Sequence, residues 1–294
     1  MTARPTAAIV TVGTELVTGL SVDTNSAEVA RALTRSGFAV AEAVSAGDDA
    51  TLLAGVLRRL LAAHAMVVTT GGLGPTHDDV TRDAASAATG RPLERDEAVA
   101  EALSHIALRH EDPVAAEQVF RQALVLRGAR VLPAATGTAP GQVLDGLPGT
   151  LALLPGPPAE MRPMLADLLG EDGGAAPPAV LGIAGMPEGD AQRIAERALQ
   201  GVEGVTLGVL AVIGDVKVVL YDDGAGPDAL AAAARRVADA FGEACYSAKG
   251  ETLAEAVLAA ARARGLKLAV AESCTGGMVA VLLTDVAGAS DTFV

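Results

Sequence analysis

Residues 69–84 read TTGGLGPTHDDVTRDA. The apolar run Ala65–Val68 leads into the glycine loop Gly71–Pro75, and two aspartates, Asp78 and Asp79, follow at once. A glycine loop between a strand and a helix favours a phosphate, because exposed backbone N–H groups and a helix N-terminus attract an anion. Two carboxylates beside that anion would repel it. A divalent cation bridging carboxylates and phosphate reconciles them, so the stretch predicts a metal-assisted phosphate site.

Simpler interpretations of the same stretch stay open. Glycines also serve a tight turn alone, and either aspartate could be a first-turn carboxylate favoured by the dipole of a helix that begins near Asp78.

The first half of the chain alternates strand and helix patterns. Apolar runs at 7–12, 38–46 and 65–70 are separated by helical spacings, which predicts right-handed crossovers and a parallel sheet. A hairpin turning near Pro148-Gly149, then a Pro/Gly loop and a helix, is predicted within 137–161. Ligands of such sheets bind at the carboxyl ends of the strands.

Several polar residues fall at these strand ends. Gly13, Thr14 and Glu15 follow the first strand, and Glu15 lies where a ligand crevice is expected. Asn25 is predicted to cap the next helix, in a capping box with Glu28. Asp48 or Asp49 caps the following helix, and a functional role for Asp48 is equally open.

The loop Pro155–Pro158 has two interpretations. It is either a rigid connection between strand and helix, which we favour, or a second wall of the crevice that offers the Gly156 N–H to a ligand.

The second half predicts smaller units. EDGGAAPP (171–178) has the composition of a linker. A β-α-β-β-α-β pattern follows, typical of a small α+β domain. From Glu251 a helix, a strand LKLAVAE (266–272) and the turn SCTGG (273–277) begin a third α/β unit. The turn is either a helix cap or a Ser273 nucleophile with oxyanion donors, with Cys274 as the rival nucleophile.

Composition excludes some functions. Lysine and arginine number 22 against 36 aspartates and glutamates, a net charge of −14, which argues against nucleic-acid or anionic-membrane partners. Two cysteines, Cys245 and Cys274, suit a reducing compartment, and no segment is long and apolar enough to span a membrane. We therefore expect a cytoplasmic protein with a small-molecule ligand.

These motifs together resemble one family. The sequence carries VGTELVTGLSVDTN (12–25), GD (47–48), TTGGLGPTHDDVT (69–81), RQA (121–123), GTAPG (137–141), LLPGPPAEM (153–161) and AESCTGG (271–277). In this order they resemble the CinA family, the competence/damage-inducible proteins. The resemblance implies a first domain similar to molybdopterin-binding enzymes, a small KH-like domain and a nicotinamide mononucleotide deamidase domain.

The resemblance also implies site residues. It places the phosphate loop at Gly71, Gly72, Gly74, Pro75 and Thr76. Asp79 falls on the aspartate near the transferred phosphate, and Asp48 on a second acid. The GxEL…DTN signature falls on Glu15, Asp23 and Asn25, and the deamidase nucleophile on Ser273. Arg121 departs from the family pattern, because it stands where a lysine is expected.

We therefore expect an α/β first domain (1–172) whose parallel sheet is mixed at one edge and has helices on both faces. A small α+β KH-like domain (178–248) and the beginning of a deamidase-like unit (251–294) follow. The resemblance implies hydrolysis of ADP-ribose to AMP and ribose 5-phosphate, linked to pyridine nucleotide recycling. A metal ion (Mg²⁺, Mn²⁺ or Co²⁺) would be held by Asp79 with Asp78 or Glu15, while Asp48 orients water.

Two other functions stay open: a pterin-handling nucleotidyl transferase and a non-catalytic nucleotide-binding regulator. The middle domain lacks a basic GxxG loop, so we expect no binding to DNA or RNA. The tyrosine and lysine partners of the deamidase would follow Phe293, so we expect no deamidase activity from residues 251–294. A homodimer is the expectation that the resemblance carries.

Overall fold

The apolar run before the glycine loop forms an interior strand of a six-stranded sheet, Met66–Thr70. The structure is a computed structural model, and it describes residues 4–108, 112–170, 177–212 and 215–294. The chain divides into two units, residues 1–175 and 176–294. The predicted linker lies mostly at 171–176, outside the described residues.

The strands of the first unit are β1 Thr6–Val12, β2 Ala39–Ala46, β3 Met66–Thr70, β4 Leu93–Arg95, β5 Leu124–Leu126, β6 Arg130–Leu132, β7 Gly141–Leu144 and β8 Thr150–Leu154. Its α-helices are α1 Thr14–Val17, α2 Asn25–Arg35, α3 Ala50–Ala63, α4 Thr81–Thr89, α5 Glu97–Ala107, α6 Pro113–Phe120 and α7 Pro158–Leu169.

The main sheet has the strand order β2-β1-β3-β8-β7-β6. The first four strands are parallel, and β7 and β6 are antiparallel additions at one edge. The predicted parallel sheet with a mixed edge is therefore confirmed. Strands β4 and β5 form a separate antiparallel pair.

Helices cover both faces of this sheet, as the fold class predicts. Successive residues of β1 point to opposite sides, so Val10 joins one core cluster and Ile9 the other. The Val10 cluster packs on α3 and α4, through Leu53, Leu57 and Ala84. The Ile9 cluster packs on α2 and α7, through Val29, Leu33, Met161 and Leu165. Burial on both sides explains why β1 and β3 read as continuous apolar runs.

The second unit begins with the predicted β-α-β-β-α-β order. Its elements are β9 Ala179–Ile183, α8 Glu188–Ala198, β10 Val205–Val212, β11 Asp215–Asp222, α9 Pro227–Phe241 and β12 Cys245–Ser247. The four strands pair antiparallel in the order β10-β11-β9-β12. Two further helices follow, α10 Leu253–Ala263 and α11 Met278–Thr284.

Two predictions about elements need correction, and some short strands were not predicted. The helix after the glycine loop begins at Thr81 and not near Asp78, because Asp79 bonds to the loop. LKLAVAE (266–272) forms only a single bridge, from Leu268 to Phe293. The sequence patterns also missed the strands β4, β5 and β6, which have three residues each and are too brief to show a period.

No described helix combines the length and the hydropathy that a membrane span requires. In α11, Val279, Val281 and Leu282 are 45–57% exposed.

The turn at Gly71 tolerates no side chain. Its φ is +103°, and a Cβ there would collide with the Val12 carbonyl oxygen. We expect Gly71→Ala to lower the free energy of unfolding by at least ~2 kcal/mol. Gly55→Ala is the control, because Gly55 is exposed within α3 with open space around it, and alanine there should add about 1 kcal/mol. Urea denaturation measures both variants; equal effects would show that the Gly71 backbone is not constrained.

Candidate functional site

A crevice lies at the carboxyl ends of β1, β3 and β8, the edge at which the sequence predicts a ligand. It consists of two neighbouring cavities of about 330 and 360 Å³. Both are lined by Val12, Glu15, Gly71, Gly156 and Pro157.

Most of the predicted site residues line this crevice. The first cavity is lined by Gly13, Glu15, Asp48, Gly71, Gly72, Gly74, Pro75, Asp78, Asp79 and Gly156. Asp23 and Asn25 line the second. Thr14 and Thr76 line neither cavity. Their hydroxyl groups instead donate hydrogen bonds to two acids of the first cavity, Asp48 and Asp79 respectively.

The glycine loop is held against the sheet by its own backbone and by Thr81. The Gly71 N–H donates to the Leu154 carbonyl at 3.0 Å, and the buried Thr81 hydroxyl donates to the Gly71 carbonyl at 2.7 Å. Gly72 has φ +66°, and a Cβ there would collide with the Thr81 hydroxyl. The glycines therefore do more than turn the chain, because each allows a close backbone contact.

Asp79 closes the loop on itself. Its Oδ1 accepts from the Gly74 N–H at 2.7 Å, and its Oδ2 accepts from the Thr76 N–H at 2.8 Å and the Thr76 hydroxyl at 2.6 Å. The N–H groups of Gly74 and Thr76 are thus already occupied. Within the described residues, no protein group accepts a hydrogen bond from the N–H groups of Gly72, Leu73 and Gly156, and all three residues line the first cavity.

Two arginines support this loop, and the sequence patterns indicated neither of these contacts. Arg82 is 3% exposed and donates to the Leu73 and Gly74 carbonyls, both at 2.6 Å. Burial lowers the pKa of Arg82 to about 10, so the guanidinium stays charged at neutral pH. Arg121 donates to the Thr76 carbonyl at 3.0 Å. The Arg121 guanidinium also lies 3.6 Å from the Asp83 carboxylate.

Asp48 is not a helix cap. Asp49 is the N-cap of α3, where it accepts from the N–H groups of Thr51 and Leu52. Asp48 Oδ2 accepts instead from the Thr14 N–H at 2.8 Å and the Thr14 hydroxyl at 2.6 Å. This carboxylate is therefore fixed at the end of β1 within the crevice wall.

The predicted capping role of Asn25 is also wrong. Asp23 bonds the first turn of α2, accepting from the Ser26 N–H at 2.9 Å. The Asn25 amide donates to the Thr70 hydroxyl at 2.9 Å and to the Gly156 carbonyl at 2.7 Å. Because sequence spacing shows only short-range neighbours, it could not show a bond that spans 131 positions.

Comparison with known proteins shows which family this sequence resembles. Residues 8–172 match the domain described as "Probable molybdopterin binding domain", and residues 250–294 match the CinA C-terminal domain. A CinA-like protein of Akkermansia muciniphila is 37% identical over 295 residues, covering 97% of this chain and 70% of its own. One of Desulfovibrio desulfuricans is 36% identical over 300 residues, covering 98% and 69%.

The chain belongs to the CinA family. A solved CinA of unknown function from Thermoplasma acidophilum shares its first-unit fold, with a TM-score of 0.51 and 30% identity. The alignment covers 55% of this chain and 96% of that one.

In this CinA chain the crevice wall is acidic. Besides Asp48 and Asp79 it presents Glu15, Asp78 and Glu160. Burial raises the pKa of the Glu160 carboxyl. Glu160 belongs to the LLPGPPAEM motif, but no pattern in the sequence distinguishes it as a site residue. Among the described residues, no three histidine, cysteine or acidic side chains form a group that could hold a metal ion by themselves.

The CinA C-terminal match contains the predicted nucleophile, Ser273, on an exposed turn of the second unit. Its hydroxyl lies 3.8 Å from the Cys274 sulfur. Glu272 caps α11 by accepting from the Thr275 hydroxyl and from the N–H groups of Val279 and Ala280. The turn thus has the capping function that the sequence left open, and no basic side chain of the described residues forms a hydrogen bond with Ser273.

The bridge made by Asn25 has a direct test. Asn25→Asp replaces the donating amide with a carboxylate that faces two acceptors, so we expect a loss of about 2 kcal/mol in the free energy of unfolding. Thr24→Ala is the control, because the N-cap Thr24 makes no side-chain capping bond, and it should change stability by less than about 0.5 kcal/mol. If Asn25→Asp were as stable as the wild type, the two hydrogen bonds of Asn25 would not contribute to the free energy of unfolding.

The raised pKa of Glu160 predicts a pH-dependent effect. A carboxyl whose pKa is raised on folding opposes folding once the pH exceeds that pKa, and its penalty vanishes below the unfolded value. We therefore expect Glu160→Gln to raise the melting temperature at neutral pH, by an amount that shrinks toward about pH 4.

Glu28→Gln is the control of opposite sign. The hydrogen bond from Arg162 lowers the pKa of Glu28, so this substitution should lower the melting temperature at neutral pH, with a loss that shrinks in acid. A Glu160→Gln effect that stays constant with pH would indicate altered packing, not charge.

Proposed function

We propose that the first unit hydrolyses the pyrophosphate of ADP-ribose, or of a related dinucleotide, to AMP and ribose 5-phosphate, as part of pyridine nucleotide recycling. The observation that carries this proposal is the divided crevice, whose two cavities meet at Gly71, Gly156 and Glu15. A dinucleotide has two halves joined by a pyrophosphate. Such a molecule suits this site, with one half in each cavity and the charged pyrophosphate at the wall that the cavities share. Membership of the CinA family supports the same substrate class.

The chain's own groups account for binding of the phosphates. The free N–H groups of Gly72, Leu73 and Gly156 supply neutral donors, and the buried guanidinium of Arg82 supplies positive charge beneath the loop. Such fixed donors stabilise phosphate charge as it develops, since they need no reorganisation.

The carboxylates suit a cation that arrives with the substrate. Mg²⁺ is bound in many enzymes through one or two carboxylates plus substrate phosphates, so one or two acids of this crevice would be enough to hold it. Asp78, Asp79 and Glu15 are the acids we propose for it. When bound, Mg²⁺, Mn²⁺ or Co²⁺ would neutralise charge on the pyrophosphate.

Asp48 is the residue we propose for orienting water. Its Oδ2 is held by Thr14, and within the described residues its Oδ1 accepts no recorded hydrogen bond. A carboxylate fixed through one oxygen can present the other to a water molecule in a constant direction.

The decisive experiment incubates the protein with ADP-ribose and each of the three metal ions and measures AMP. Formation of AMP and ribose 5-phosphate is the expected result. Tight pterin binding without AMP would instead favour a nucleotidyl transferase, which the match to a molybdopterin-binding domain makes the second candidate. Binding of ADP-ribose without product would favour a regulator.

Asp79→Asn tests the role of the loop carboxylate. Asparagine presents an N–H group where Asp79 now accepts, and it removes a charge, so we expect turnover to fall at least ~100-fold. Asp83→Asn is the matched control, because Asp83 is exposed on α4. The turnover of this variant should stay within about threefold of wild type, since exposed ion pairs contribute little. Full activity of folded Asp79→Asn would contradict the proposal.

A further inference from the structure

Two buried glutamines of the first unit differ in one respect. Gln142 is 1% exposed and uses both ends of its carboxamide: Oε1 accepts from the Leu126 N–H at 2.9 Å, and Nε2 donates to the Leu124 carbonyl at 3.0 Å. Gln122 is 2% exposed, but its Oε1 has no hydrogen-bond partner among the described residues. One glutamine therefore supports the fold, and the other has an unused acceptor.

The position of Gln122 gives this acceptor a use. Gln122 is one of the residues that line the cavity of about 330 Å³, together with Leu73, Gly74, Asp79 and Thr138. A buried polar atom without a partner destabilises a fold, so such atoms are retained where a ligand or water completes them. The unused oxygen thus belongs to a residue of the wall that also contains the glycine loop.

We propose that the Gln122 carboxamide binds a hydroxyl group of a ribosyl phosphate in this cavity and makes the site selective for sugar phosphates over bare phosphates. The inference rests on the proposed function, because it takes a ribosyl phosphate as the occupant. Phosphate oxygens are acceptors at neutral pH, so they cannot satisfy a carboxamide oxygen, whereas sugar hydroxyls donate. A cavity of about 330 Å³ is at the small end of ligand sites, which suits one ribosyl phosphate half of a dinucleotide.

The test compares Gln122→Met with Gln142→Met. Methionine keeps the unbranched shape of glutamine and removes the hydrogen-bonding groups. Each protein is titrated, in the presence of Mg²⁺, with ribose 5-phosphate and with inorganic pyrophosphate, and its melting temperature is measured without ligand. Gln122→Leu repeats the comparison with a different apolar shape.

We expect Gln122→Met to keep or raise the melting temperature, because it removes an unsatisfied buried oxygen. Its Kd for ribose 5-phosphate should rise at least ~10-fold, while its Kd for pyrophosphate stays within about twofold. Gln142→Met should melt at a lower temperature and, while folded, bind both ligands as the wild type does.

Three results would overturn the inference: equal losses for both ligands, unchanged Kd values in folded Gln122→Met or Gln122→Leu, or a wild type that does not bind ribose 5-phosphate. Failure of both Gln122 variants to fold would also overturn it, since a structural role would then explain the side chain. The proposed function fails separately, by absence of AMP from ADP-ribose. A protein that binds ribose 5-phosphate through Gln122 but makes no AMP would leave the inference standing.

Discussion

The close approach of two loop backbones, at Gly71 and Gly156, determines the geometry of the crevice. A Cβ on Gly156 would lie 3.4 Å from the Gly71 Cα, and a Cβ on Gly71 would collide with β1. The Thr70 hydroxyl ties the two loops together by donating to the Pro155 carbonyl at 2.9 Å, and Asn25 bonds to both sides. The parallel sheet brings the strand ends to one edge, but these contacts make that edge a defined site.

The sequence predicts the sheet well and the roles of polar residues poorly, for one physical reason. Strands such as β1 and β3 are buried on both faces, so their apolar runs carry the information locally. The roles of Asn25 and Arg82 depend on partners that folding brings near. The role of Asp79 depends on its carboxylate, and not that of the adjacent Asp78, bonding to the loop. Gln122 shows the limit most clearly, since a sequence cannot distinguish it from the fully bonded Gln142.

Charge in the crevice is divided between two layers. The acids Glu15, Asp48, Asp78 and Glu160 line the wall, whereas the arginines hold carbonyls of the loop from behind. An anion entering alone would meet repulsion from the wall before it reached the loop donors. For the function that we propose, this arrangement requires a cation to enter the crevice with the anion, in a chain whose net charge is −14.

The buried Arg82 places a positive charge on the opposite side of this arrangement from the acids. With a pKa of about 10 the guanidinium carries a permanent charge at physiological pH, and with 3% exposure that charge is weakly screened by salt. Positive charge is therefore placed at the carbonyls of the glycine loop, and negative charge at the cavity wall. The phosphate–cation pair that we propose as ligand would therefore be favoured in one orientation, with the phosphate toward Arg82 and the cation toward the acids.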